Sequence, residues 1–321
     1  MIYRIALLLL ATVYLSSSAF AQGFPTRPVT IIAASTPGSL PDVLARGLGQ
    51  RLSQKWGQPV VVENRAGGAY AIAASTAANA PADGYTLLIS ESGIYTIQPH
   101  LSKGKSAYAQ RDFVPVAGIA TVPMAFIAHP SVGAKSIGDL IAIAKQKPGA
   151  LNYGTAGPGT APHMGMLLLE TMTGAQLTPV HYRGISPAVN DLLAGQIQVV
   201  AIGPTIALAH VKAGKVTGLG VGSKEEIPQL PGVRPVAEAV PGFDMSVSFS
   251  VFARAGTPQD VITKINADIR DVLKNPEFQK QFLEPQALEA LLGSPEELGR
   301  FLNAESKKWE QLVHQTKLSV E

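Results

Sequence analysis

The strongest constraint on the fold is a regular alternation of strand-like and helix-like segments that begins at residue 29. The segments "VTIIAAS" (29–35), "PVVVEN" (59–64) and "YTLLIS" (85–90) are apolar runs of strand length. A helical spacing of apolar residues spans 40–56, and a helix of small residues over 67–80 precedes the third run. This β-α-β-α-β order predicts parallel strands joined by right-handed helical crossovers.

A second alternating set follows, and two long extended stretches connect it to the rest of the chain. The stretches are "DFVPVAGIATVPMAFIAHP" (112–130) and "DMSVSFSVFARAGTP" (244–258), and neither has a helical pattern. Between them we predict helices over 136–146, 159–174, 186–196 and 204–214, and strands over 151–156, 177–184, 197–203 and 216–222.

Two crossings between two α/β units predict a two-lobed α/β fold with a cleft and hinge closure. Each lobe is expected to be a mostly parallel sheet flanked by helices, and two crossover strands join the lobes. Residues 24–123 plus 249–321 are assigned to lobe 1, and 124–248 to lobe 2. The stretch 259–321 is predicted to be helical, with a capping box in "SPEE" (294–297).

The N-terminus has the pattern of an export signal. A short basic start precedes the apolar run "IALLLLATVYL" (5–15), and Ala19-x-Ala21 is a small-x-small cleavage pattern. We expect a signal peptide over 1–21, cleavage after Ala21 and a mature chain that starts at Gln22. The chain has no cysteine, so disulfides and attachment as a lipoprotein are excluded.

Charge and motifs argue against several classes of function. The net charge is +3 with no basic run longer than two residues, so nucleic-acid binding is not expected. Gly-x-Ser-x-Gly and His-Glu-x-x-His are absent, and "GKS" (104–106) lacks the first glycine of a P-loop. The six histidines include no pair at i, i+4 spacing, so we expect no metal and no cofactor.

Turns between strands and helices are the most informative polar features. Such turns lie at the carboxyl ends of strands, where helix starts expose N–H groups that favour anions. Each turn alone is usually only a turn. Five turns rich in Gly, Ser and Thr at one edge of two lobes predict a polar cleft for a small anion; they are "STPGS" (35–39), "SES" (90–92), "TAGPGT" (155–160), "RGIS" (183–186) and "GPT" (203–205).

The chain resembles the periplasmic receptors of tripartite tricarboxylate transporters, often called the Bug family. The resemblance covers essentially the whole mature chain, and its most specific markers are "VVENRAGG" (61–68) and "ADGYTLL" (82–88). It implies a periplasmic-binding-protein fold of type II, which binds without chemistry and delivers its ligand to membrane permease subunits. Most members are expected to bind carboxylates, so the resemblance implies a monomeric periplasmic receptor for a small carboxylate.

The resemblance also implies a set of ligand-binding residues. In the first lobe they are Thr36, Gly38, Ser39, Asp42, Ser90, Glu91 and Ser92. In the second lobe they are Thr155, Ala156, Gly157, Gly159, Thr160, His163, Tyr182, Arg183, Gly184 and Gly203.

Three of these residues have a second interpretation. Asp42 is expected to cap and orient its helix rather than to touch an anion, because like charges repel. Arg183 is either a bidentate carboxylate ligand or a solvated surface charge. His163 is either a ligand contact or a structural histidine.

Four positions depart from the family pattern. Ser39 replaces the second glycine of a Gly-Gly pair, Gln198 an aspartate and Ser248 an aromatic residue. Glu91 places a carboxylate where uncharged polar residues are usual; if it faces the cleft, it disfavours a polyanion and can pair with a ligand amine. Citrate-like ligands are therefore not expected. The predicted loops contain few aromatic residues, with Tyr95, Tyr182 and Phe249 as the candidates, which favours a small or aliphatic ligand.

Two alternatives to a transport receptor remain open. One is a sensory receptor that presents its closed form to a membrane kinase. The other is an exported α/β hydrolase, which a histidine placed against a serine in the cleft would indicate.

Overall fold

The computed structural model describes residues 23–68, 70–102 and 107–319. The predicted signal peptide (1–21), its cleavage site and the segment "GKS" (104–106) lie outside the described residues. Within the described part of the chain, no helix has the length and apolar character needed to cross a membrane.

Strands and helices alternate in the predicted order. The strands are β1 Val29–Ala33, β2 Val60–Asn64, β3 Thr86–Glu91, β4 Phe113–Pro123, β5 Ala125–Ala128, β6 Asn152–Thr155, β7 Thr178–His181, β8 Val199–Ile202, β9 Thr217–Val221, β10 Ser246–Arg254 and β11 Glu289–Ala290. The helices are α1 Leu40–Trp56, α2 Ala71–Ala78, α3 Gly93–Thr96, α4 Gln98–Leu101, α5 Ile137–Gln146, α6 Ala161–Thr173, α7 Ile185–Leu193, α8 Pro204–Lys212, α9 Gln259–Lys274, α10 Pro276–Phe278 and α11 Pro295–Thr316.

The strands form two sheets, one in each lobe, and the predicted two-lobed α/β fold is confirmed. The first sheet has the order β11-β4-β10-β3-β1-β2, and the second has the order β7-β6-β8-β5-β9. The parallel pairs are those of the predicted β-α-β units: β1 with β2 and β3, and β6 with β7 and β8. The strands of the extended stretches add antiparallel pairs, so both sheets are mixed rather than mostly parallel.

The two extended stretches form the crossings between the lobes. Only Met124 separates β4 in the first sheet from β5 in the second, and β10 returns antiparallel to β4. The two crossings are hydrogen-bonded to each other, because the Met124 N–H donates to the Met245 carbonyl (3.0 Å). The Gly222 N–H in turn donates to the Met124 carbonyl (2.7 Å). A Cβ at Gly222 would overlap the Met245 carbonyl, so only glycine allows this close approach.

Helix α1 shows how the apolar spacing is used. Leu44, Leu48 and Leu52 lie four residues apart and are fully buried against the first sheet. Burial of each leucine contributes about 1.5–3 kcal/mol. Leu40 and Val43, at the start of the same helix, instead line the cleft between the lobes. The apolar pattern of one helix therefore serves both the core and the cleft.

The C-terminal region is helical with one exception. The capping box at the start of α11 is present: Ser294 Oγ accepts from the Glu297 N–H (3.2 Å), and Glu297 Oε2 accepts from the Ser294 N–H (2.7 Å). The exception is β11, which adds an edge strand to β4 inside the region 259–321 that was predicted to be helical. A two-residue strand has no periodicity for the sequence to show.

Candidate ligand-binding cleft

A cavity of about 470 Å³ lies between the two lobes. Its volume suits a small molecule rather than a polymer. Four helices begin at its wall, and the strands of the crossings form its apolar floor. The residues that line it are Gly38, Ser39, Leu40, Pro41, Val43, Tyr70, Glu91, Val122, Met124, Ala156, Thr160, Ala161, Pro162, Ile185, Ser186, Ile202, Gly203, Pro204, Thr205, Ile206, Val247, Phe249 and Gln286.

The loop before α1 forms one wall of the cavity and is held from behind by Asp42. The buried Asp42 carboxylate accepts from the Gly38 N–H (2.8 Å), from Asn64 Nδ2 (2.8 Å) and from Arg46 Nε (2.9 Å). Burial alone would raise the pKa of Asp42, but these hydrogen bonds lower it below its ordinary value. Asp42 does not line the cavity, so it positions the loop, as the capping interpretation expects.

Ser39 occupies the N-cap position of α1 but does not cap the helix with its side chain. Its Oγ donates to the Thr36 carbonyl (2.7 Å) instead. Gly38 precedes it at φ +80°, a conformation that favours glycine. Gly38 and Ser39 both line the cavity, whereas Thr36 contributes only the carbonyl that holds Ser39.

The end of β3 brings Glu91 to the cavity. Glu91 Oε2 accepts from the Tyr70 hydroxyl (2.6 Å), and both residues line the cavity. Burial raises the pKa of Glu91, and the hydrogen bond from Tyr70 offsets part of that effect. Ser92 bonds to Ser250 (Oγ to Oγ, 3.0 Å) beside a smaller adjoining space of about 30 Å³ that Glu91 also lines. Ser90 is fully buried and lines neither space.

Tyr70 is a functional candidate that sequence reasoning missed. It lies within a segment predicted to be helical, yet it precedes α2 at φ +77°, which is rare for a bulky side chain. Backbone strain of this kind is often found at binding sites. A lone Tyr between small residues was the only sequence signal.

The loop "TAGPGT" before α6 is held by its own side chains and by His163. Thr155 Oγ1 accepts from the Gly157 N–H (3.1 Å), and Thr160 Oγ1 donates to the Gly157 carbonyl (2.7 Å). The Gly159 N–H donates to His163 Nδ1 (3.0 Å). Ala156 and Thr160 line the main cavity, and Gly159 lines the smaller space, while Thr155, Gly157 and His163 line neither.

His163 is therefore placed as a structural residue rather than at the cavity wall. Burial, followed by the neighbouring His181, lowers the pKa of His163 to about 4. The ring is neutral near pH 7 and accepts the hydrogen bond from the loop. His181 packs edge-to-face against it (ring centroids 4.9 Å apart) and is hydrogen-bonded to Thr155 Oγ1 (2.7 Å).

In the turn at 182–186, the residues that reach the cavity are not the ones predicted to bind the ligand. The Tyr182 hydroxyl donates to Asp191 (2.6 Å), and Arg183 is exposed. Neither residue lines the cavity, and Gly184 does not either, so the solvated interpretation of Arg183 fits its position. Ile185 and Ser186, the next two residues, reach the cavity instead. Gly203 lines it as expected, together with the start of α8.

The helix starts at the cavity share one property. Helices α1, α6, α7 and α8 begin there, and none has a side-chain hydrogen bond at its N-cap. Helix starts carry unpaired N–H groups and partial positive charge, so they attract anions. Their convergence makes the cavity suited to a carboxylate, although no basic side chain is among the described residues that line it.

The remaining departures lie away from the main cavity. The Gln198 side chain accepts from the Asn152 N–H (2.9 Å) and braces the start of β6. The Ser248 carbonyl accepts from the Ser92 N–H (2.7 Å) beside the smaller space. Of the aromatic candidates, Phe249 lines the cavity, while Tyr95 stacks on Phe252.

The two lobes contact each other around the cavity. Gln98 Nε2 donates to the Gly159 carbonyl (3.4 Å), and Thr205 Oγ1 donates to the Pro285 carbonyl (3.2 Å). Lys308 Nζ donates to the Asp244 carbonyl (3.0 Å). These bonds link the two lobes beside the cavity.

A two-lobed α/β fold with two crossing strands and an interlobe cavity is the architecture of a solute-binding receptor. A profile of the family described as "Tripartite tricarboxylate transporter family receptor" matches residues 44–318. The chain belongs to this family.

Known relatives agree with this assignment. Protein BugT of Bordetella pertussis is 31% identical over 309 residues, which cover 96% of this chain and 94% of BugT. The structure of Rhodopseudomonas palustris Rpa4515 with adipate is similar with a TM-score of 0.82 and 34% identity, covering 92% of this chain and 99% of that one. MatC of the same organism, with bound malate, is similar with a TM-score of 0.78 and 28% identity, covering 90% and 100%.

Proposed function

We propose that this protein is exported to the periplasm and captures a small carboxylate in the interlobe cavity. It then delivers the ligand, as a monomer, to the membrane permease subunits of a tripartite transporter. The observation that carries the proposal is the convergence of four uncapped helix starts on one cavity of about 470 Å³. The adipate and malate bound by two structural neighbours are carboxylates of suitable size.

The binding energy would come from backbone N–H groups, hydroxyls and bridging waters. Residues from both lobes line the cavity, so a ligand contacts all of them only when the lobes are closed. Such a ligand shifts the equilibrium towards the closed state, because it binds that state better. Within the 17 residues predicted from the resemblance, we assign direct contact to Gly38, Ser39, Glu91, Ala156, Thr160 and Gly203.

We also propose the lobe boundaries 24–123 plus 249–321 and 124–248. Strand pairing supports the first boundary, because β4 ends at Pro123 and β5 begins at Ala125. On the return, β10 already pairs with β4 of the first sheet from Ser246, which lies just before the proposed boundary at 249.

We propose binding without catalysis. A hydrolase of the expected kind needs a histidine against a serine in the cleft. Among the described residues that line the cavity there is no histidine. Histidine–serine contacts do occur between His100 and Ser306 (2.8 Å) and between His129 and Ser131 (2.7 Å), but none of these residues lines the cavity.

A thermal-shift screen of the mature chain (22–321) against carboxylates tests the proposal. A ligand at about a hundredfold excess over its Kd adds about 2.7 kcal/mol of stability and raises Tm clearly. The hit should be recovered chemically unchanged. If no carboxylate raises Tm, the receptor assignment for carboxylates fails, and if the hit is consumed, the protein is an enzyme.

A further inference from the structure

The cavity has an uneven charge distribution that the carboxylate proposal does not explain. Among the described residues that line it, Glu91 is the only charged side chain, and no lysine or arginine is present. No ion pair of the described residues includes Glu91. A cavity that attracts anions through helix starts thus contains one carboxylate without a cationic partner.

The surroundings of Glu91 are aromatic. The Tyr70 hydroxyl donates to Glu91 Oε2 (2.6 Å) and leaves the other carboxylate oxygen for another donor. Phe249 is the direct cross-strand partner of Glu91 in the β3–β10 pair and also lines the cavity. A carboxylate beside aromatic rings is suited to a protonated amine, which the carboxylate neutralises and the rings attract.

We propose that the ligand carries a protonated amine as well as a carboxylate, and that Glu91 is the counter-ion of the amine. Tyr70 and Phe249 are its aromatic neighbours, and the ligand carboxylate lies at the uncapped helix starts. This inference rests on the proposed function and specifies its ligand class: an aminocarboxylate with one carboxylate rather than a dicarboxylate. A second ligand carboxylate next to Glu91 would be repelled.

Two other roles for Glu91 make different predictions. Glu91 could serve only as the acceptor that holds Tyr70 in its strained conformation. Glutamine retains an acceptor oxygen at the same place, so Glu91→Gln would then leave ligand selectivity unchanged. Glu91 could instead be protonated and donate to a second ligand carboxylate, in which case dicarboxylates would bind best.

The experiment compares ligands of equal chain length by isothermal titration calorimetry on the mature chain. The sets are butyrate, succinate and 4-aminobutyrate; valerate, glutarate and 5-aminovalerate; and hexanoate, adipate and 6-aminohexanoate. L-α-amino acids form a second arm, which separates α-amino from ω-amino ligands. We expect an aminocarboxylate of one arm to bind at least about tenfold more tightly than the dicarboxylate of equal length.

Glu91→Gln should reduce that preference at least about tenfold and improve dicarboxylate binding. Glu289→Gln, the same change at an exposed position of β11, is the matched control. It should leave both the amine preference and dicarboxylate binding unchanged. Tyr70→Phe keeps the Glu91 carboxyl group and an aromatic ring but removes the hydrogen bond that lowers the pKa of Glu91, so the amine preference should weaken less than in Glu91→Gln. Circular dichroism and Tm show whether each variant folds; if Glu91→Gln does not fold, the wild-type preference within the ligand sets decides.

Each outcome bears on a different claim. Tighter binding of dicarboxylates, or an unchanged preference in a folded Glu91→Gln variant, overturns the amine assignment and leaves the carboxylate receptor standing. Failure of every carboxylate, with or without an amine, overturns the proposed function and this inference together.

Discussion

Two helices of this protein begin with the same sequence pattern and yet differ in how their starts are closed. Helix α1 begins at "SLPD" (39–42) and α5 at "SIGD" (136–139), and both patterns are Ser-x-x-Asp. In both, the aspartate reaches back four residues: Asp42 accepts from the Gly38 N–H (2.8 Å) and Asp139 from the Lys135 N–H (2.9 Å). The two aspartates therefore have the same role, which is to hold the loop before their helix.

The serines differ. Ser136 Oγ accepts from the Asp139 N–H (3.2 Å) and caps α5, whereas Ser39 Oγ turns away and donates to the Thr36 carbonyl (2.7 Å). Helix α11, also away from the cavity, is closed by its own capping box. The comparison indicates that the starts of α5 and α11 are satisfied by their own side chains, while the starts at the cavity leave N–H groups without a side-chain cap and available to a ligand.

The largest expected effect comes from a clash that prevents the two lobes from closing beside the start of α6. Gly159 lies at φ +71°, and a Cβ there would overlap Leu101 Cδ1, which belongs to the other lobe and is fully buried. Gly159→Ala should therefore weaken ligand binding by about a hundredfold or more, roughly 2.7 kcal/mol, because the closed state is overpacked. Calorimetry with the best carboxylate from the screen measures this loss.

Gly174→Ala is the matched control for that variant. Gly174 ends α6 at φ +72°, and a Cβ there would meet nothing within 4 Å. Both variants carry the same backbone strain, about 1 kcal/mol, but only Gly159→Ala adds an interlobe clash. Equal affinities of the two variants would show that the lobes do not close at Gly159 when ligand binds.

The next effect is a pH dependence of stability that arises from the loop before α6. His163 is buried and has its pKa lowered to about 4 by burial, so the folded protein keeps it neutral while the unfolded chain protonates it below about pH 6.5. The stability that neutral His163 contributes is fully present above pH 6.5 and is lost as the pH falls towards 4, by about 2 kcal/mol between pH 7.0 and pH 4.5. His181, with a pKa also lowered by burial, acts in the same direction.

Urea unfolding at pH 7.0 and pH 4.5 measures that dependence. His163→Gln retains an acceptor for the Gly159 N–H without the titratable ring, so the difference between the two pH values should shrink. His314→Gln, an exposed position on α11, is the control. A pH difference that is equal in all three proteins would mean that His163 is not the group responsible.

How far the sequence predicts this molecule depends on the kind of feature. The order of strands and helices, the two crossings and the "SPEE" capping box follow from periodicity and cap residues, and the structure confirms them. The direction of the crossing strands does not follow, because an extended apolar run has the same appearance in a parallel and an antiparallel pair. Mixed sheets were therefore missed.

The cleft was predicted at the level of loops but not of side chains. A turn rich in Gly and Ser identifies a loop at the sheet edge, but it does not say which residues face the ligand side. Arg183 and His163 stood out by residue type and do not line the cavity, while Ser186 and Tyr70 do. The apolar floor, including Met124 and Val247, comes from crossing strands that sequence reasoning treated as connections, apart from Phe249, which it named as an aromatic candidate.

A third prediction concerns the replacement of Asp42 in α1 and of Asp139 in α5 by alanine. Asp42→Ala leaves the Gly38 N–H, Asn64 and Arg46 without their common acceptor in a buried position, which costs about 2 kcal/mol of unfolding free energy. It should also weaken ligand binding, because the loop that lines the cavity loses its support. Asp139→Ala, at an exposed carboxylate, should cost less stability and leave affinity unchanged. Equal losses of affinity would contradict the separation between the two starts.

The smallest effects are expected when Ser39 or Ser136 is replaced by alanine. These two variants test the comparison between α1 and α5 most directly. Ser136→Ala removes a real cap and should lower the unfolding free energy by about 1 kcal/mol without changing ligand affinity. Ser39→Ala has no cap to lose, so its effect on stability should be well below that of Ser136→Ala. Its effect should appear in binding instead, since Ser39 lines the cavity and its bond to Thr36 shapes the open start. Urea unfolding and calorimetry on the two variants separate these outcomes. If Ser39→Ala loses as much stability as Ser136→Ala, Ser39 caps α1 after all, and the start of α1 is no more available to a ligand than the start of α5.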